Sequence, residues 1–172
     1  MINIAINGFG RIGKSFLRTI LQDPKAQEKI NVSAINIGPA DPEHIAYELQ
    51  YDSIMGTLNK KIEYKNSKIY VDKYEIVIIS ECDPKKIDWG KLEIDWVVDA
   101  SGVFRSREKA TLHLNSGAKK VLITAPAIDE DITIIPGIND DKYISDKHHL
   151  VSLGSCTTNC FAPMIKVLME NF

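Results

Sequence analysis

Several features that mark other classes of protein are scarce in this sequence. Three cysteines among 172 residues are too few for a disulfide framework, and their odd number suits a reducing compartment. A formal net charge of -2 provides no broad basic face for nucleic acid or a membrane surface. No apolar run approaches the length of a membrane span, and residues 1–4 lack the basic region and apolar core of a secretion signal. We therefore expect a cytoplasmic protein with no nucleic-acid or membrane partner.

What the sequence contains is a recurring unit of a short apolar run, a turn and a helical segment. Strands are predicted at residues 1–6, 32–37, 75–79, 96–99, 121–124 and 150–153, and helices at residues 12–21, 42–51, 107–116 and 161–169. Residues 62–64 and 68–71 are predicted to form a small hairpin. Strands that alternate with helices at these lengths predict an α/β fold, with a mostly parallel sheet and helices on both faces.

A glycine-rich loop joins the first predicted strand to the first helix. In the pattern G-x-G-x-x-G, Gly8 permits a tight turn, Gly10 lets the backbone approach a pyrophosphate, and Gly13 lets helix and strand pack closely. The free N–H groups at the helix start favour an anion. Between a strand and a helix, this pattern predicts a Rossmann-type doubly wound fold that binds a dinucleotide. The alternative is a strand-to-helix turn without a ligand.

The acidic residue that usually binds the adenosine ribose is absent from its obvious position. It is expected about 20 residues after the glycine loop, at the end of the second strand, but residues 34–38 read AINIG. Asp41 or Glu43 would reach the ribose only if the loop folds back, and either is equally explained as a charge at a helix start. The ribose contact stays open at this point.

A cysteine lies at the start of the last predicted helix. In the sequence SCTTNC at residues 155–160, the helix start favours the thiolate of Cys156, and the following threonine hydroxyls can bind an oxyanion or phosphate. Alternatively, Cys156 and Cys160 are small buried residues four positions apart. A zinc site is a third interpretation, but the adjacent His148 and His149 cannot easily both face one metal, so no metal is expected.

Taken together, these segments resemble the glyceraldehyde-3-phosphate dehydrogenase family. The similar segments, in the family's order and at similar spacing, are NGFGRIG at residues 7–13, YDSIMG at 51–56, SGVF at 101–104, GAKK at 117–120, AP at 125–126 and SCTTNC at 155–160. The resemblance runs along the whole chain, and the cysteine segment is its most specific part.

The resemblance implies a role for individual residues. Cys156 would be the catalytic nucleophile, and Ser155 and Thr157 would help to hold the phosphate that enters the reaction. The cofactor would be NAD, with NADP less favoured. The expected cofactor-binding residues are Asn7, Gly8, Gly10, Arg11, Ile12 and Gly13 at the pyrophosphate, Ser101, Gly102 and Phe104 on the adenosine side, Asn36, and Thr124 towards the nicotinamide. Thr124 is equally explained as an ordinary residue at a strand end.

The resemblance also implies a reaction and an assembly. In the family, a homotetramer oxidises glyceraldehyde 3-phosphate with NAD and inorganic phosphate, through a cysteine thioester, in glycolysis. Erythrose-4-phosphate dehydrogenase shares both motifs and is one alternative; a catalytically silent NAD-binding module is another. We expect residues 1–150 to form the dinucleotide-binding domain and residues 151–172 to begin a catalytic domain that is otherwise missing, so the isolated chain would be inactive.

Several residues depart from the family pattern. Ile37 stands where the family usually has its ribose-binding aspartate, and Cys82 stands where it often has arginine beside the adenine. No histidine matches the family's catalytic base. Surface or loop positions are expected for the four histidines His44, His113, His148 and His149.

Overall fold

The structure is a computed structural model that describes residues 1–72 and 74–172. Its strands and α-helices follow in the order β1 (Ile2–Asn7), α1 (Arg11–Gln22), α2 (Pro24–Lys29), β2 (Ile30–Asn36), α3 (Ile45–Gln50), β3 (Tyr51–Asp52), β4 (Gly56–Thr57), β5 (Ile62–Lys65), β6 (Lys68–Val71), β7 (Tyr74–Ile79), β8 (Trp96–Asp99), α4 (Arg107–Asn115), β9 (Lys120–Ile123), β10 (Ile132–Thr133), β11 (Leu150–Ser152) and α5 (Cys156–Asn171). Short 3-10 helices lie at Pro42–His44, Pro84–Lys86 and Asp140–Lys142.

The main sheet has nine strands in the order β10-β11-β9-β8-β1-β2-β7-β6-β5. Every neighbouring pair from β10 to β7 is parallel, whereas β5 and β6 extend the sheet in antiparallel fashion. The chain moves from β1 to β2 on one side and later returns to β8 on the other side of β1. This reversal of direction opens a crevice at the carboxyl ends of the strands, where doubly wound folds bind their ligands. The predicted fold class is confirmed.

Helices cover both faces of the sheet because side chains alternate along each strand. Ile6 packs in one core cluster with Leu17 and Ile20 of α1. On the opposite face, Val121 of β9 packs with Ala110 of α4. The apolar spacing that predicts α1 therefore also identifies the side of α1 that faces the core.

One row of paired residues marks the carboxyl edge of the sheet. Asn36, Asn7, Asp99, Ile123 and Ser152 are successive partners across β2, β1, β8, β9 and β11. The loops after β1, β8, β9 and β11 contain the glycine loop, the SGVF segment, Thr124 and the cysteine segment, respectively. Sheet register thus brings the predicted site segments to the same edge.

Local differences from the predicted elements have simple causes. The helix predicted from residue 42 begins with a 3-10 turn, in which the Asp41 carboxylate accepts the Glu43 backbone N–H (2.9 Å). The last helix begins at Cys156, earlier than predicted, because Ser155 caps it. The short elements α2, β3, β4 and β10 were not predicted, since they are too short to show a hydrophobic period. The hairpin is confirmed, and its two loop residues Asn66 and Ser67 have φ of 53° and 56°, as a tight hairpin turn requires.

Across the part of the chain that the structure describes, no helix combines the length and hydropathy needed to cross a membrane.

Candidate cofactor site and cysteine segment

A cavity of about 490 Å³ opens at the carboxyl edge between the loops that follow β1, β2, β7 and β8. Six of the predicted cofactor residues line it: Asn7, Gly8, Gly10, Asn36, Ser101 and Phe104. The other predicted residues, Arg11, Ile12, Gly13, Gly102 and Thr124, are not part of its lining. Lining residues that were not predicted as contacts are Phe9, Gly38, Pro39, Glu81, Ala100 and Val103. Ile37 and Cys82, the two residues that depart from the family pattern, also line the cavity.

Each glycine of the loop meets a different environment. Gly8 has φ +92°, and a Cβ there would lie 2.6 Å from the Ser101 Cα. A Cβ on Gly13 would lie 2.2 Å from the Gly8 carbonyl oxygen, so α1 approaches the loop more closely than any side chain allows. A Cβ on Gly10 would meet nothing within 4 Å. The fold itself therefore requires Gly8 and Gly13, whereas the open space at Gly10 is available to a ligand.

The start of α1 carries backbone N–H groups without a side-chain cap. Gly10 is the N-cap residue and has no side chain to accept from them. The guanidinium of Arg11 pairs with the Asp52 carboxylate instead of entering the cavity. Backbone N–H groups of Met55 and Ile54, together with Arg11, lower the pKa of Asp52 to about 2. An anion at this helix start would be held mainly by backbone N–H groups.

Buried polar side chains form the floor of the cavity. Asn7 Nδ2 donates to Asp99 Oδ2 (2.6 Å), and Asn7 Oδ1 accepts from Asn36 Nδ2 (2.7 Å). Asn36 Oδ1 in turn accepts the Glu81 backbone N–H (3.0 Å). Asp99 Oδ1 accepts both the Ser101 hydroxyl (3.0 Å) and the Ser101 backbone N–H (3.3 Å). These bonds fix the loops around the cavity, and Asp99 is their central acceptor.

His113 corrects one prediction from the sequence. It is fully buried in α4 rather than at a surface or loop position. The Trp89 indole Nε1 donates to His113 Nδ1 (3.2 Å), and His113 Nε2 lies 3.4 Å from Asp99 Oδ2. The prediction was wrong because it treated histidine as polar by default, although the spacing of three residues from the buried Ala110 places both on the inner face of α4.

The remaining histidines lie where they were expected. His44 is exposed in a 3-10 helix, and His148 and His149 lie in the loop before β11.

The end of β2 contributes no carboxylate to the cavity. Ile37 lines the wall there, and neither Asp41 nor Glu43 reaches it. Within residues 1–72 and 74–172, Glu81 contributes the lone carboxylate of the lining. Its Oε1 accepts the backbone N–H groups of Cys82 (2.8 Å) and Asp83 (3.0 Å), which holds the side chain at the end of β7. Glu81 is separated from the glycine loop by about 70 residues, so no short-range pattern indicates it.

Cys156 is the first residue of α5, and its loop is tightly held. The Ser155 hydroxyl accepts the Thr158 backbone N–H (2.9 Å). Asn159 Nδ2 donates to the carbonyl oxygens of Leu153 (2.7 Å) and Ser155 (2.9 Å). Cys156 and Cys160 are both exposed in this chain. Thr157 is exposed beside Cys156.

The cysteine segment and the glycine loop share the carboxyl edge. β11 is the third strand from β1, through β8 and β9, and three strand spacings amount to about 14 Å. Thr124 lies between them after β9, where its hydroxyl donates to the Asp99 carbonyl oxygen (3.0 Å). In the part of the chain that the structure covers, no three His, Cys, Asp or Glu side chains gather as a metal site would require.

Comparison with known proteins identifies the family. Residues 2–107 match the family model described as the NAD-binding domain of glyceraldehyde 3-phosphate dehydrogenase. The chain is 46% identical over 172 residues to the glyceraldehyde-3-phosphate dehydrogenase of Thermotoga maritima, covering 100% of this chain and 50% of that protein. For the enzymes of that name from Streptomyces coelicolor and Geobacillus stearothermophilus, the identities are 45% and 44% over 171 residues, with 99% of this chain and 50% of each relative covered.

The chain thus spans about half the length of the curated relatives it matches. The matching domain is an NAD-binding one, in agreement with the glycine loop, the uncapped helix start and the cavity between them. The chain belongs to the glyceraldehyde 3-phosphate dehydrogenase family and comprises its NAD-binding domain.

Proposed function

We propose that this chain is the NAD-binding part of a phosphorylating glyceraldehyde-3-phosphate dehydrogenase and that Cys156 is its nucleophile. The observation that carries the proposal is the shared carboxyl edge, which brings the glycine loop and the start of α5 within a few strand spacings. A dinucleotide that lies across the crevice can then reach from one to the other.

The residues present fit NAD. The open space at Gly10 and the uncapped N–H groups of α1 would hold the pyrophosphate. Ser101 and Phe104 face the adenosine side of the cavity, and Thr124 lies towards the cysteine segment. Bound NAD supplies a hydride acceptor, and these residues orient it and exclude water from its path.

Cys156 supplies covalent chemistry. Its thiolate adds to the aldehyde carbon of glyceraldehyde 3-phosphate, and the carbonyl oxygen takes a proton, which gives a thiohemiacetal. A thioester on the cysteine sulfur forms when this adduct gives up its hydroxyl proton to solvent and a hydride, for which bound NAD would be the acceptor. Inorganic phosphate then attacks the thioester carbon and expels the thiolate, which releases an acyl phosphate. Ser155 and Thr157, which flank the thiol, hold the incoming phosphate through their hydroxyls.

The rest of the assignment follows from the same family. Residues 1–150 form the dinucleotide-binding domain, and residues 151–172 belong to a catalytic domain. The exposure of the apolar side chains of α5 supports this division, since Phe161, Met164 and Val167 are each more than half exposed and would need a further layer to bury them. The enzyme acts in glycolysis in the cytoplasm and assembles as a homotetramer.

The nucleophile is tested by thiol labelling. All three thiols are exposed, so differences in rate report reactivity rather than access. We expect iodoacetamide to label Cys156 about two- to fivefold faster than Cys160 near neutral pH, because only Cys156 lies at the helix start, where the dipole contributes roughly 0.3–1 kcal/mol. Peptide mass spectrometry over time measures the rates. Cys160, one turn further along the same helix, is the internal control, and equal rates at the two sites would contradict the assignment.

Cofactor choice is tested at Ile37. We expect NAD to bind more tightly than NADP by about 1–2 kcal/mol, the scale of one charged hydrogen bond. Ile37 neither binds the ribose hydroxyls nor repels a 2′-phosphate, but Glu81 lines the same cavity, and no Arg or Lys lies between Lys29 and Lys60 to accept the phosphate.

Calorimetric titration of both cofactors against matched variants measures this preference. Ile37→Asp should widen it, Ile37→Arg should narrow or invert it, and Ile37→Leu, which keeps the wall apolar, should leave it unchanged. Tighter binding of NADP by the unmodified chain would overturn the assignment of NAD.

A further inference from the structure

One imidazole contacts both the floor and the wall of the cofactor cavity. His113 Nε2 lies 3.4 Å from Asp99 Oδ2, and Asp99 holds Asn7 and Ser101, which line the cavity. The ring of Phe104, another lining residue, packs edge-on against the His113 ring with 4.9 Å between centroids. His113 itself is fully buried and does not line the cavity. Its influence on a ligand would therefore pass through these neighbours.

The hydrogen bonds determine which nitrogen of His113 carries the proton. An indole N–H can only donate, so the Trp89 Nε1 contact of 3.2 Å makes His113 Nδ1 the acceptor. The proton of the neutral ring must then be on Nε2, which points to Asp99. Among the described residues Nε2 makes no hydrogen bond, and the carboxylate oxygen Asp99 Oδ2 lies 3.4 Å from it. Trp89 therefore fixes the tautomer of His113, and that tautomer presents an N–H to Asp99.

The orientation of Asp99 propagates through the floor of the cavity. Its Oδ2 accepts from Asn7 Nδ2, which turns the amide oxygen of Asn7 towards Asn36. Asn36 then holds the backbone N–H of Glu81. A continuous series of hydrogen bonds thus runs from Asp99 to the far wall of the cavity and leaves the amides of Asn7 and Asn36 one orientation each.

We propose that His113 is a positioning residue for the cofactor site, acting on the bound dinucleotide through Asp99 and Phe104, with Trp89 fixing its tautomer. This inference rests on the proposed NAD site and adds to it a residue that does not touch the cofactor. Without the imidazole, Asp99 loses the polar group 3.4 Å from its carboxylate and Phe104 loses the ring packed against it, so the empty cavity samples arrangements that do not bind the cofactor.

Substitutions of His113 test this role in the complete chain. We expect His113→Leu to weaken NAD binding about tenfold in calorimetry. His113→Gln should stay within about threefold of the unmodified chain, because a glutamine amide can accept from Trp89 and donate to Asp99. Ala110→Gly is the matched control: Ala110 is buried on the same face of α4, and its loss weakens the helix without touching Asp99 or Phe104. It should leave the affinity unchanged.

A second measurement separates positioning from stability. Trp89 and Trp96 are the two tryptophans of the chain, so ¹H–¹⁵N spectra resolve two indole N–H resonances. Saturation with NAD should shift the Trp89 resonance in the unmodified chain and leave it in place in His113→Leu, with Trp96 as the internal reference. Affinities are compared at a temperature where thermal melts show every variant folded.

The outcomes distinguish the two proposals. Absence of NAD binding by the unmodified chain would refute the cofactor site itself. Unchanged affinity in His113→Leu, or an equal loss in the folded Ala110→Gly control, would leave the cofactor site standing and refute the positioning role. Failure of His113→Gln to restore affinity, when it is folded, would also refute it, because the proposed role depends on the hydrogen bond from Trp89 and on an N–H close to Asp99, both of which glutamine can supply.

Discussion

Gly10→Val is expected to abolish NAD binding, with at least a hundredfold loss of affinity, while the free energy of unfolding changes by less than about 1 kcal/mol. NAD affinity and stability respond differently because a Cβ at Gly10 would meet no protein atom within 4 Å. The backbone at Gly10 is extended, with φ of -79°, and valine readily adopts this conformation. The added methyl groups occupy the space where the pyrophosphate must approach the backbone. Calorimetry measures the affinity, and urea denaturation measures the stability.

Gly13→Ala is the contrasting variant. Its Cβ would lie 2.2 Å from the Gly8 carbonyl oxygen, so α1 must move away from the loop, and we expect stability and NAD affinity to fall together. Comparison of the two variants thus distinguishes a glycine that is required for folding from one that is required for ligand binding. Unchanged NAD affinity in a folded Gly10→Val variant would show that the loop does not hold the pyrophosphate.

Arg18→Met is expected to lower the free energy of unfolding by about 2–4 kcal/mol. Arg18 is fully buried in α1, and its guanidinium donates to the carbonyl oxygens of Leu49 (2.7 Å) and Gly56 (2.7 Å). These hydrogen bonds hold the end of α3 and the β3–β4 turn against α1. Methionine keeps the apolar stem of the side chain but removes the donor from the buried Leu49 carbonyl and from the partly buried contact with Gly56.

Arg11→Met is the control for Arg18→Met, since it removes the same charge from the same helix. Arg11 is half exposed, and its partner Asp52 keeps the backbone N–H groups of Ile54 and Met55 as donors when Arg11 is lost, so we expect a much smaller loss of stability. Urea denaturation with a shared m-value compares the two variants. Equal losses would show that the two hydrogen bonds from Arg18 to carbonyl oxygens add nothing to stability beyond the charge.

The residues changed in these variants also illustrate which parts of the molecule can be predicted from the sequence. The role of the glycine loop was predictable because Gly8, Gly10 and Gly13 are close in sequence and sit between a strand and a helix. The burial of Arg18 was not, since its carbonyl partners lie 31 and 38 residues away. In the sequence, Arg18 is simply a charged residue in an amphipathic helix.

The candidate site likewise contains some residues that the sequence predicts and others that it does not. Five of the lining residues in the loops after β1 and β8, namely Asn7, Gly8, Gly10, Ser101 and Phe104, were predicted through short segments that resemble the family. Asp99 and His113 were not, because they lie under the cavity and have a role only through contacts between distant elements. Glu81 enters through the pairing of β7 with β2. The order of the strands in the sheet places Glu81 at the cavity, and no local sequence pattern contains that order.

The two open edges of the nine-stranded sheet limit how copies of this chain can associate. At one edge, β5 turns Ile62 and Tyr64 inward and presents Glu63 and Lys65 to solvent, and charges on an edge strand discourage pairing with another sheet. At the other edge, β10 is two residues long, which is too short a template for a further strand. Neither edge therefore favours the addition of strands from further copies of the chain. An ordered assembly of a few copies would have to form through helices and loops.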